Sequence, residues 1–425
     1  MKHIDRQILQ IALPSIVSNI TVPLLGLIDV AIVGHLGSPA YIGAIAVGGM
    51  LFNIIYWIFG FLRMGTSGMT SQAYGKRDLP EIVRLLMRSV GIGLAVALCL
   101  ILLQVPIRQT AFLIIHPTAE VREMATLYFH ICIWGAPAML GLYGLSGWFI
   151  GMQNSRIPMY IAITQNIVNI IASLSFVCFF KMKVEGVAFG TLIAQYAGFI
   201  MGLVLWMSRY GKLKKYILWK GVLQKEAMMR FFQVNRDIFL RTLCLVTVTL
   251  FFTSAGASQG EIILAVNTLL MQLFTLFSYV MDGFAYAGEA LSGRYIGARN
   301  RKAFTNTTRH LFIWGGWLAA FFTLVYALGG NAFLGLLTDN KDVVSAAGTY
   351  FYWALAIPVA GIAAFIWDGI FIGATATRGM LASMAIAAIS FFVVYYGLRP
   401  VLGNHALWLA FLVYLAMRGV VQTLL

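Results

Sequence analysis

The sequence predicts an all-α polytopic membrane protein, with twelve transmembrane helices in two pseudo-symmetric six-helix lobes. Of its 425 residues, 60% are hydrophobic and 11% are charged, and the mean hydropathy is +0.85. Such a chain is too apolar to be a soluble globule of ordinary composition. Apolar windows long enough to span a bilayer recur about twelve times, and the two halves of the chain match each other in one register.

The apolar windows are separated by short polar segments, as expected for helices that cross a membrane repeatedly. An even number of spans places both termini on the same side of the membrane. The windows lie at roughly 11–34, 41–72, 86–107, 124–150, 157–180, 185–208, 237–256, 261–292, 308–329, 346–373, 378–398 and 405–425.

The net charge of +15 comes mainly from basic residues in the short loops between spans. This pattern is typical of the positive-inside rule and not of a protein that binds nucleic acid. We expect both termini in the cytoplasm and the chain in the cytoplasmic (inner) membrane of a prokaryote, because the opposite side carries six of the 30 Lys and Arg residues. Those six are Arg108, Arg122, Lys181, Lys183, Lys341 and Arg399.

A basic stretch, RYGKLKKYILWKGVLQKEAMMR, is the one sizeable break between the predicted spans and divides them six and six. It predicts an N-lobe at 1–208 and a C-lobe at 236–425, joined by a cytoplasmic linker at 209–235. The linker is amphipathic enough to lie on anionic lipid headgroups, and a plain solvated loop is the alternative.

The two halves repeat each other when the chain is shifted so that Gly75 falls on Gly297, an alignment here called the repeat register. Glycine, tyrosine and arginine matched without a gap over spans two to four predict two copies of one six-helix unit, related by an axis along the membrane normal. A Gly-x-x-x-Gly spacing recurs in both copies, at Gly147/Gly151 and Gly369/Gly373, and predicts close helix packing. The other matched positions include Arg77 with Arg299, Gly93 with Gly315, Tyr128 with Tyr350 and Arg156 with Arg378.

The first span, PSIVSNITVPLLGLIDVAIVGHL, carries a carboxylate at Asp29. An aspartate near the middle of a membrane helix costs about 2.5 to 3.5 kcal/mol on insertion scales, so it normally faces protein or a wet cavity. The same span contains Pro14 and Pro23, each of which removes one backbone hydrogen bond. We interpret both prolines as candidate hinges, and a static kink is the alternative.

Span five presents a polar stripe at Asn166, Asn169 and Ser173. Residues three and four apart lie on one helical face, and such a face in lipid would be left without hydrogen bonds, so it should point inward. We predict that the stripe and Thr191 of span six line a polar, substrate-binding cavity with Asp29. The alternative is that these residues only hold helices together.

Three further acids lie at membrane depth in the C-terminal half: Asp282 and Glu289 on span eight, and Asp368 on span ten. They form a possible second titrating site. Pairing of Glu289 with Arg294 is the structural alternative for that residue. If the Asp29 site does not titrate, these acids are the next candidates.

Signatures of a membrane enzyme are absent from the sequence. There is no HExxH motif, P-loop or paired-acid diphosphate motif, and the four cysteines lack metal-like spacing. We therefore predict no catalytic residues, no metal site and no cofactor.

Several runs resemble the multidrug and toxic compound extrusion (MATE) transporters, and within that family its DinF-like branch. They are PLLGLIDVAIVGHLG, GTSGMTSQAYGKRD, NIVNIIASLSFV, MDGFAYAGEALSGRYIGARN and WDGIFIGATATRGM, and the likeness covers essentially the whole chain. The resemblance implies two six-helix lobes, alternating access, and efflux of cationic, amphipathic drugs driven by a proton or sodium gradient. It also implies that Asp29 binds the coupling ion, with Asn169 and Thr191 around it and Pro14 bending span one. We expect a monomer surrounded by membrane lipids.

One departure from the family pattern concerns the coupling ion. Many relatives have a second aspartate where this chain has Ser173, and a sodium site needs several oxygen ligands with sufficient negative charge. A proton is therefore expected, and sodium coupling is the alternative. A lipid-linked oligosaccharide flippase of the same superfamily is the other alternative. It would need a strongly cationic cavity, for which Arg63 and Arg241 are the basic candidates near membrane depth.

Overall fold

The computed structural model describes residues 2–425, and over these residues the chain forms helices and turns without strands. Twelve stretches are long and apolar enough to cross a membrane, from His3–Gly34 to Asn404–Leu424. Each coincides with one of the predicted windows. The predicted fold class of an all-α protein with twelve candidate membrane spans is therefore confirmed.

The chain divides into two compact units, and the first comprises Val17–Phe232, here called the N-terminal unit. It contains most of α1 and the eight helices that follow it, with the second and fourth spans each built from two consecutive helices. Its helices are α1 Lys2–Gly34, α2 Pro39–Ile58, α3 Phe61–Lys76, α4 Leu79–Leu102, α5 Gln104–Ile115, α6 Ala119–Cys132, α7 Ala136–Gly151, α8 Arg156–Cys178 and α9 Val184–Tyr210.

The second compact unit, here called the C-terminal unit, comprises Gln233–Leu425 together with the part of α1 up to Ile16. Buried aromatic and aliphatic side chains of all six helices from α10 to α15 form its core. Its helices are α10 Lys225–Ala257, α11 Glu261–Gly297, α12 Arg301–Leu337, α13 Lys341–Gly373, α14 Thr377–Leu402 and α15 Asn404–Leu424.

The segment predicted as a cytoplasmic linker, 209–235, is only partly irregular. A 3₁₀ helix covers Gly211–Tyr216, turns cover 217–224, and α10 begins at Lys225. The turns belong to the N-terminal unit and are held to α4, because Arg88 Nε donates to the Val222 carbonyl at 2.7 Å and Arg88 Nη2 donates to the Gly221 carbonyl at 3.0 Å. The predicted lobe limits themselves stay a prediction.

The two copies of the internal repeat share unusual backbone conformations at matched positions. Left-handed conformations at non-glycine residues are uncommon, yet they occur at Arg77 (φ 56°) and again at Arg299 (φ 55°). The same is true of Gln153 (φ 66°) and Thr375 (φ 54°). Both pairs are matched in the repeat register, so the two copies share their turns as well as their helices.

Glycines at matched positions let helices approach closely in both units. A Cβ added to Gly151 of α7 would lie 2.8 Å from the Ser67 carbonyl oxygen of α3. A Cβ added to Gly373 of α13 would lie 2.5 Å from the Glu289 carbonyl oxygen of α11. The repeat register matches Gly151 with Gly373 and also Ser67 with Glu289, so the contact itself is repeated. The predicted close packing is confirmed.

We expect Gly373→Ala to destabilise the protein by about 1–3 kcal/mol, the usual cost of overpacking a tight contact. Its methyl group would press on the Glu289 carbonyl and lie 3.0 Å from the Gly293 amide nitrogen. Gly316→Ala on α12 is the matched control, because nothing lies within 4 Å of its added methyl group. Thermal unfolding of both purified variants in detergent measures the effect. An unchanged melting temperature for Gly373→Ala would contradict the close packing.

Candidate functional site

The candidate site is centred on Asp29 of α1, whose side chain is buried with 4% of its surface exposed. Asn169 Nδ2 of α8 donates to Asp29 Oδ1 at 3.0 Å. Thr191 Oγ1 of α9 donates to Asp29 Oδ2 at 3.0 Å. The structure thus brings together three of the predicted site residues, and each oxygen of the carboxylate has its own donor.

Ser173 reaches the carboxylate indirectly. Its hydroxyl donates to Asn169 Oδ1 at 3.2 Å, and its side chain is fully buried. An asparagine amide has one acceptor oxygen and two N–H donors. Because Ser173 occupies the oxygen, the amide presents its N–H group to Asp29. Ser173 therefore orients Asn169 and leaves Asp29 as the single charged group of the cluster.

Gly190 of α9 is a site residue that the sequence analysis did not identify. A Cβ at this position would lie 2.9 Å from both the Cα and the backbone nitrogen of Ser173, and it would overlap the serine hydroxyl. The glycine allows α9 to approach α8 beside the Asp29 cluster. Its spacing of four from Gly186, in GVAFG, is the Gly-x-x-x-Gly signal that could have revealed it.

Asn166 has a different partner from the rest of the predicted stripe. Its Nδ2 donates to the Thr21 carbonyl of α1 at 3.1 Å and to the Ala162 carbonyl of its own helix at 3.0 Å. No donor among the described residues reaches its buried Oδ1. Asn166 therefore binds the backbone of α1 two residues before Pro23 and does not contact Asp29.

The two prolines lie in different units. Helix α1 continues through both of them from Lys2 to Gly34. Pro14 lies two residues before the boundary between Ile16 and Val17, in the part of α1 that belongs to the C-terminal unit, and Pro23 lies in the N-terminal unit. Their role as hinges stays a prediction.

In the C-terminal unit, aromatic rings occupy the positions that correspond to the Asp29 cluster. The repeat register matches Asp29, Asn169 and Ser173 with Phe251, Phe391 and Tyr395. The ring of Phe251 lies 5.8 Å from that of Phe391 and 5.3 Å from that of Tyr395, both in edge-to-face geometry. The repeat therefore preserves these contacts between helices but replaces their hydrogen bonds with ring packing.

Asp368, one of the predicted C-lobe acids, lies in a buried ionic cluster. Its Oδ2 accepts from Arg241 of α10 at 2.5 Å and from Arg418 of α15, and its Oδ1 accepts from Gln422 at 2.7 Å. Arg418 is a basic residue that the sequence analysis did not count among the candidates near membrane depth. Sequence distance hid this pairing, since its partner is 50 residues away.

The other two predicted acids of this half, Asp282 and Glu289, lie on α11. Asp282 is half-buried, whereas Glu289 has 1% of its surface exposed. The hydrogen-bond partners of Asp368 come from α10 and α15. Asp282 interacts electrostatically with Arg418, so Asp282 and Asp368 share this cation.

Among the described residues, no three His, Cys, Asp or Glu side chains are close enough together to hold a metal ion. The Asp29 cluster offers one carboxylate with amide and hydroxyl donors. It is suited to attracting a cation or taking up a proton.

We expect Arg418→Met to destabilise the protein by about 1.5–3 kcal/mol, because it removes a hydrogen bond between charged groups from the buried Asp368 carboxylate, which keeps Arg241 and Gln422. Arg399→Met is the control, since that guanidinium is exposed and lies over the Tyr395 ring at 5.9 Å. Chemical unfolding in detergent measures both free energies of unfolding. Equal stability of Arg418→Met and the control would show that the cluster contributes nothing to folding.

Comparisons with known proteins agree on one family. The MatE family model matches residues 14–174 and 238–398, once in each half of the chain. The DNA damage-inducible protein F of Escherichia coli is 39% identical over 98% of this chain and 90% of its own length. The chloroplast protein DETOXIFICATION 44 of Arabidopsis thaliana is 24% identical over 98% of this chain and 81% of its own length.

The solved structure of the Vibrio cholerae MATE transporter VcmN in the bent form has a TM-score of 0.88 at 18% identity. It covers all of this chain (100%) and 96% of its own, which shows that the fold is shared. Because the family model matches more than half of the chain and the Escherichia coli relative covers nearly all of it, this protein belongs to the MatE family of multidrug and toxin efflux transporters, in its DinF-like branch.

Proposed function

We propose that this protein is a secondary active antiporter that exports amphipathic, mostly cationic organic compounds in exchange for protons. The observation that carries the proposal is the buried Asp29 carboxylate, held by one neutral donor from α8 and one from α9. Neutral donors stabilise the charged form without cancelling its charge. Ionised Asp29 therefore remains an attractive group for a cation.

Exchange follows from competition for one carboxylate. Ionised Asp29 attracts the substrate cation, while aromatic and methionine side chains hold its apolar body. A proton that binds Asp29 removes the negative charge and with it the attraction. Proton and substrate then weaken each other's binding by the same factor, as linkage requires. Alternating access converts this competition into export against inward proton flow.

The orientation of Asn169 supports a proton over sodium as the coupling ion. Sodium is a hard cation that prefers several oxygen ligands. Here the groups that point at Asp29 are an N–H from Asn169 and an O–H from Thr191, and the amide oxygen of Asn169 is turned to Ser173. Sodium would have to reverse these hydrogen bonds, whereas a proton needs only one carboxylate oxygen.

Bending of α1 is the conformational step of the proposal. Pro23 removes one backbone bond, and Asn166 holds the Thr21 carbonyl just before it. Loss of charge on Asp29 changes the bonds that tie α1 to α8 and α9. Rebending of α1 at Pro14 and Pro23 then releases the substrate.

The proposal also covers the membrane location, the topology and the oligomeric state of the protein. It places the chain in the inner membrane of a prokaryote, with both termini cytoplasmic, lobes at 1–208 and 236–425, and the monomer as the working form in contact with lipids. A flippase is disfavoured as an alternative, because Asp368 binds both Arg241 and Arg418 and compensates one of their two charges, which does not leave the strongly cationic lining that a diphosphate needs. Arg63, the other basic candidate, has an interaction of its own within the protein.

We expect Asp29→Asn to lose proton-driven transport, by about tenfold or more, because a neutral amide cannot exchange a proton. The assay is uptake of ethidium, whose charge does not titrate, into proteoliposomes with an imposed pH gradient and, separately, an imposed sodium gradient. Asp342→Asn, at an exposed acid near the start of α13, is the control and should transport normally.

The same assay separates the alternatives. Wild-type uptake that ignores both gradients would overturn the antiporter proposal, and uptake driven by sodium alone would establish the sodium-coupled alternative. Full proton-driven transport by Asp29→Asn, with loss in Asp368→Asn or Asp282→Asn, would move the titrating site to the C-terminal unit.

Ser173→Asp is expected to make transport respond to sodium. A second carboxylate beside Asn169 would attract its N–H group, free its oxygen, and supply the charge that a sodium site needs. The ratio of sodium-driven to proton-driven ethidium uptake should rise severalfold over the wild type. Ser175→Asp is the control, since that hydroxyl is exposed and bonds its own helix at the Ile171 carbonyl. An unchanged ratio would show that Ser173 does not determine ion choice.

A further inference from the structure

The first part of α1 and the first part of α10 each pack in the unit built from the other half of the chain. Helix α1 belongs to the C-terminal unit up to Ile16, and α10 belongs to the N-terminal unit from Lys225 to Phe232. These two segments occupy equivalent positions in the repeat register, so each half of the chain contributes the start of its first helix to the other unit. Each segment is held by a polar cluster at the end of the bundle that the charge distribution predicts to be cytoplasmic.

The first cluster, here called the α10 clamp, is built around Arg88 of α4. The Arg88 side chain is buried, and it binds the Gly221 and Val222 carbonyls that lead into α10. Its Nη1 also donates to Glu81 Oε1 at 3.0 Å. Arginine stays protonated at all physiological pH values, so this clamp has a permanent charge.

The second cluster, here called the α1 clamp, is built around Asp5 of α1. His310 Nδ1 of α12 lies 3.0 Å from Asp5 Oδ1, and Trp314 Nε1 donates to the same oxygen at 3.2 Å. Next to it, Tyr295 Oη donates to Gln7 Oε1 at 2.7 Å. Both members of the His310–Asp5 pair are partly exposed, with 14% and 29% of their side chains accessible, so protons from solution can reach them.

The repeat register matches His310 with Arg88, so the two clamps use equivalent positions of the repeat. Arginine cannot change its charge in this range, whereas histidine ordinarily changes charge between pH 5 and 8. We propose that His310 is a second proton-binding site, separate from Asp29, which holds the N-terminal part of α1 on α12 when it is protonated. The inference does not depend on the identity of the coupling ion.

The charges around His310 set the direction of the effect. Asp5 is the charged group that bonds the imidazole, so protonation creates an ion pair and strengthens the clamp. With a neutral imidazole, only a weaker hydrogen bond to Asp5 remains. The other titratable or charged groups on α12 and on the elements around it at this end lie on four helices. They are Arg301, Lys302 and Arg309 of α12, His3 and Arg6 of α1, Asp282, Glu289 and Arg294 of α11, and Asp368 of α13, which is already bound by Arg241 and Arg418.

Hydrogen exchange of the full-length protein in detergent tests the proposal without measuring transport. After correction for the intrinsic pH dependence of exchange, residues 3–12 should exchange about threefold to fivefold more slowly at pH 6 than at pH 8, the range that a partly exposed ion pair supports. Residues 217–224 are the internal control. They are held by Arg88 and should show no such difference.

Three variants decide the cause. His310→Arg copies the N-terminal unit and should keep residues 3–12 protected at both pH values. His310→Gln should leave them equally unprotected at both. His130→Gln, which removes a histidine paired with the neutral Gln104 amide, should behave like the wild type.

Two results would overturn the proposal. One is a wild type whose corrected exchange is the same at pH 6 and pH 8. The other is a pH difference that persists in His310→Arg, which also decides the matter if His310→Gln does not fold. These hydrogen-exchange rates do not depend on whether the protein is a proton-coupled antiporter. The His310 proposal can therefore fail while the antiporter proposal holds, and the reverse.

Discussion

A carboxylate stays charged inside an apolar helix bundle only where other groups replace the water that it has lost. Asp29 meets this requirement through two neutral donors on two neighbouring helices. The rest of the N-terminal site follows from it. Ser173 must take the asparagine oxygen so that an N–H faces the acid, and Gly190 must lack a side chain so that α9 can lie close enough to α8. One charged group thus determines residue types on three helices.

The internal repeat explains why this requirement appears once. Close packing depends on backbone approach, so Gly151 and Gly373 are kept in both copies and contact the same kind of carbonyl oxygen. Hydrogen bonding to a charge depends on side chains, and these diverged. Where the first copy has Asp29 and Asn169, the second has the packed rings of Phe251 and Phe391. The C-terminal unit therefore keeps the scaffold and needs no donors at these positions.

Sequence reasoning found the spans from hydropathy and the repeat from matched registers. It placed Asn169 and Thr191 with Asp29 because polar groups are costly in lipid and because the chain resembles the MATE family. It grouped Asn166 with Asp29, although one helical turn separates it from Asn169 and it binds the Thr21 carbonyl instead. It also missed the exchange of helix ends between units and the pairing of Arg418 with Asp368. Those features are contacts between distant segments, which periodicity within one helix cannot reveal.

Helix α1 is the element on which both proposals converge. Asp5 lies in its part within the C-terminal unit, and Asp29 lies in its part within the N-terminal unit. Pro14 and Pro23 lie between these acids, and each removes a backbone bond that would resist bending. In the proposed mechanism, α1 bends at these two points when either its contact at Asp5 or its contact at Asp29 changes. On the proposed mechanism, protonation at Asp29 loosens one end of α1, whereas protonation at His310 fixes the other, so the two proton sites act on the same bend in opposite senses.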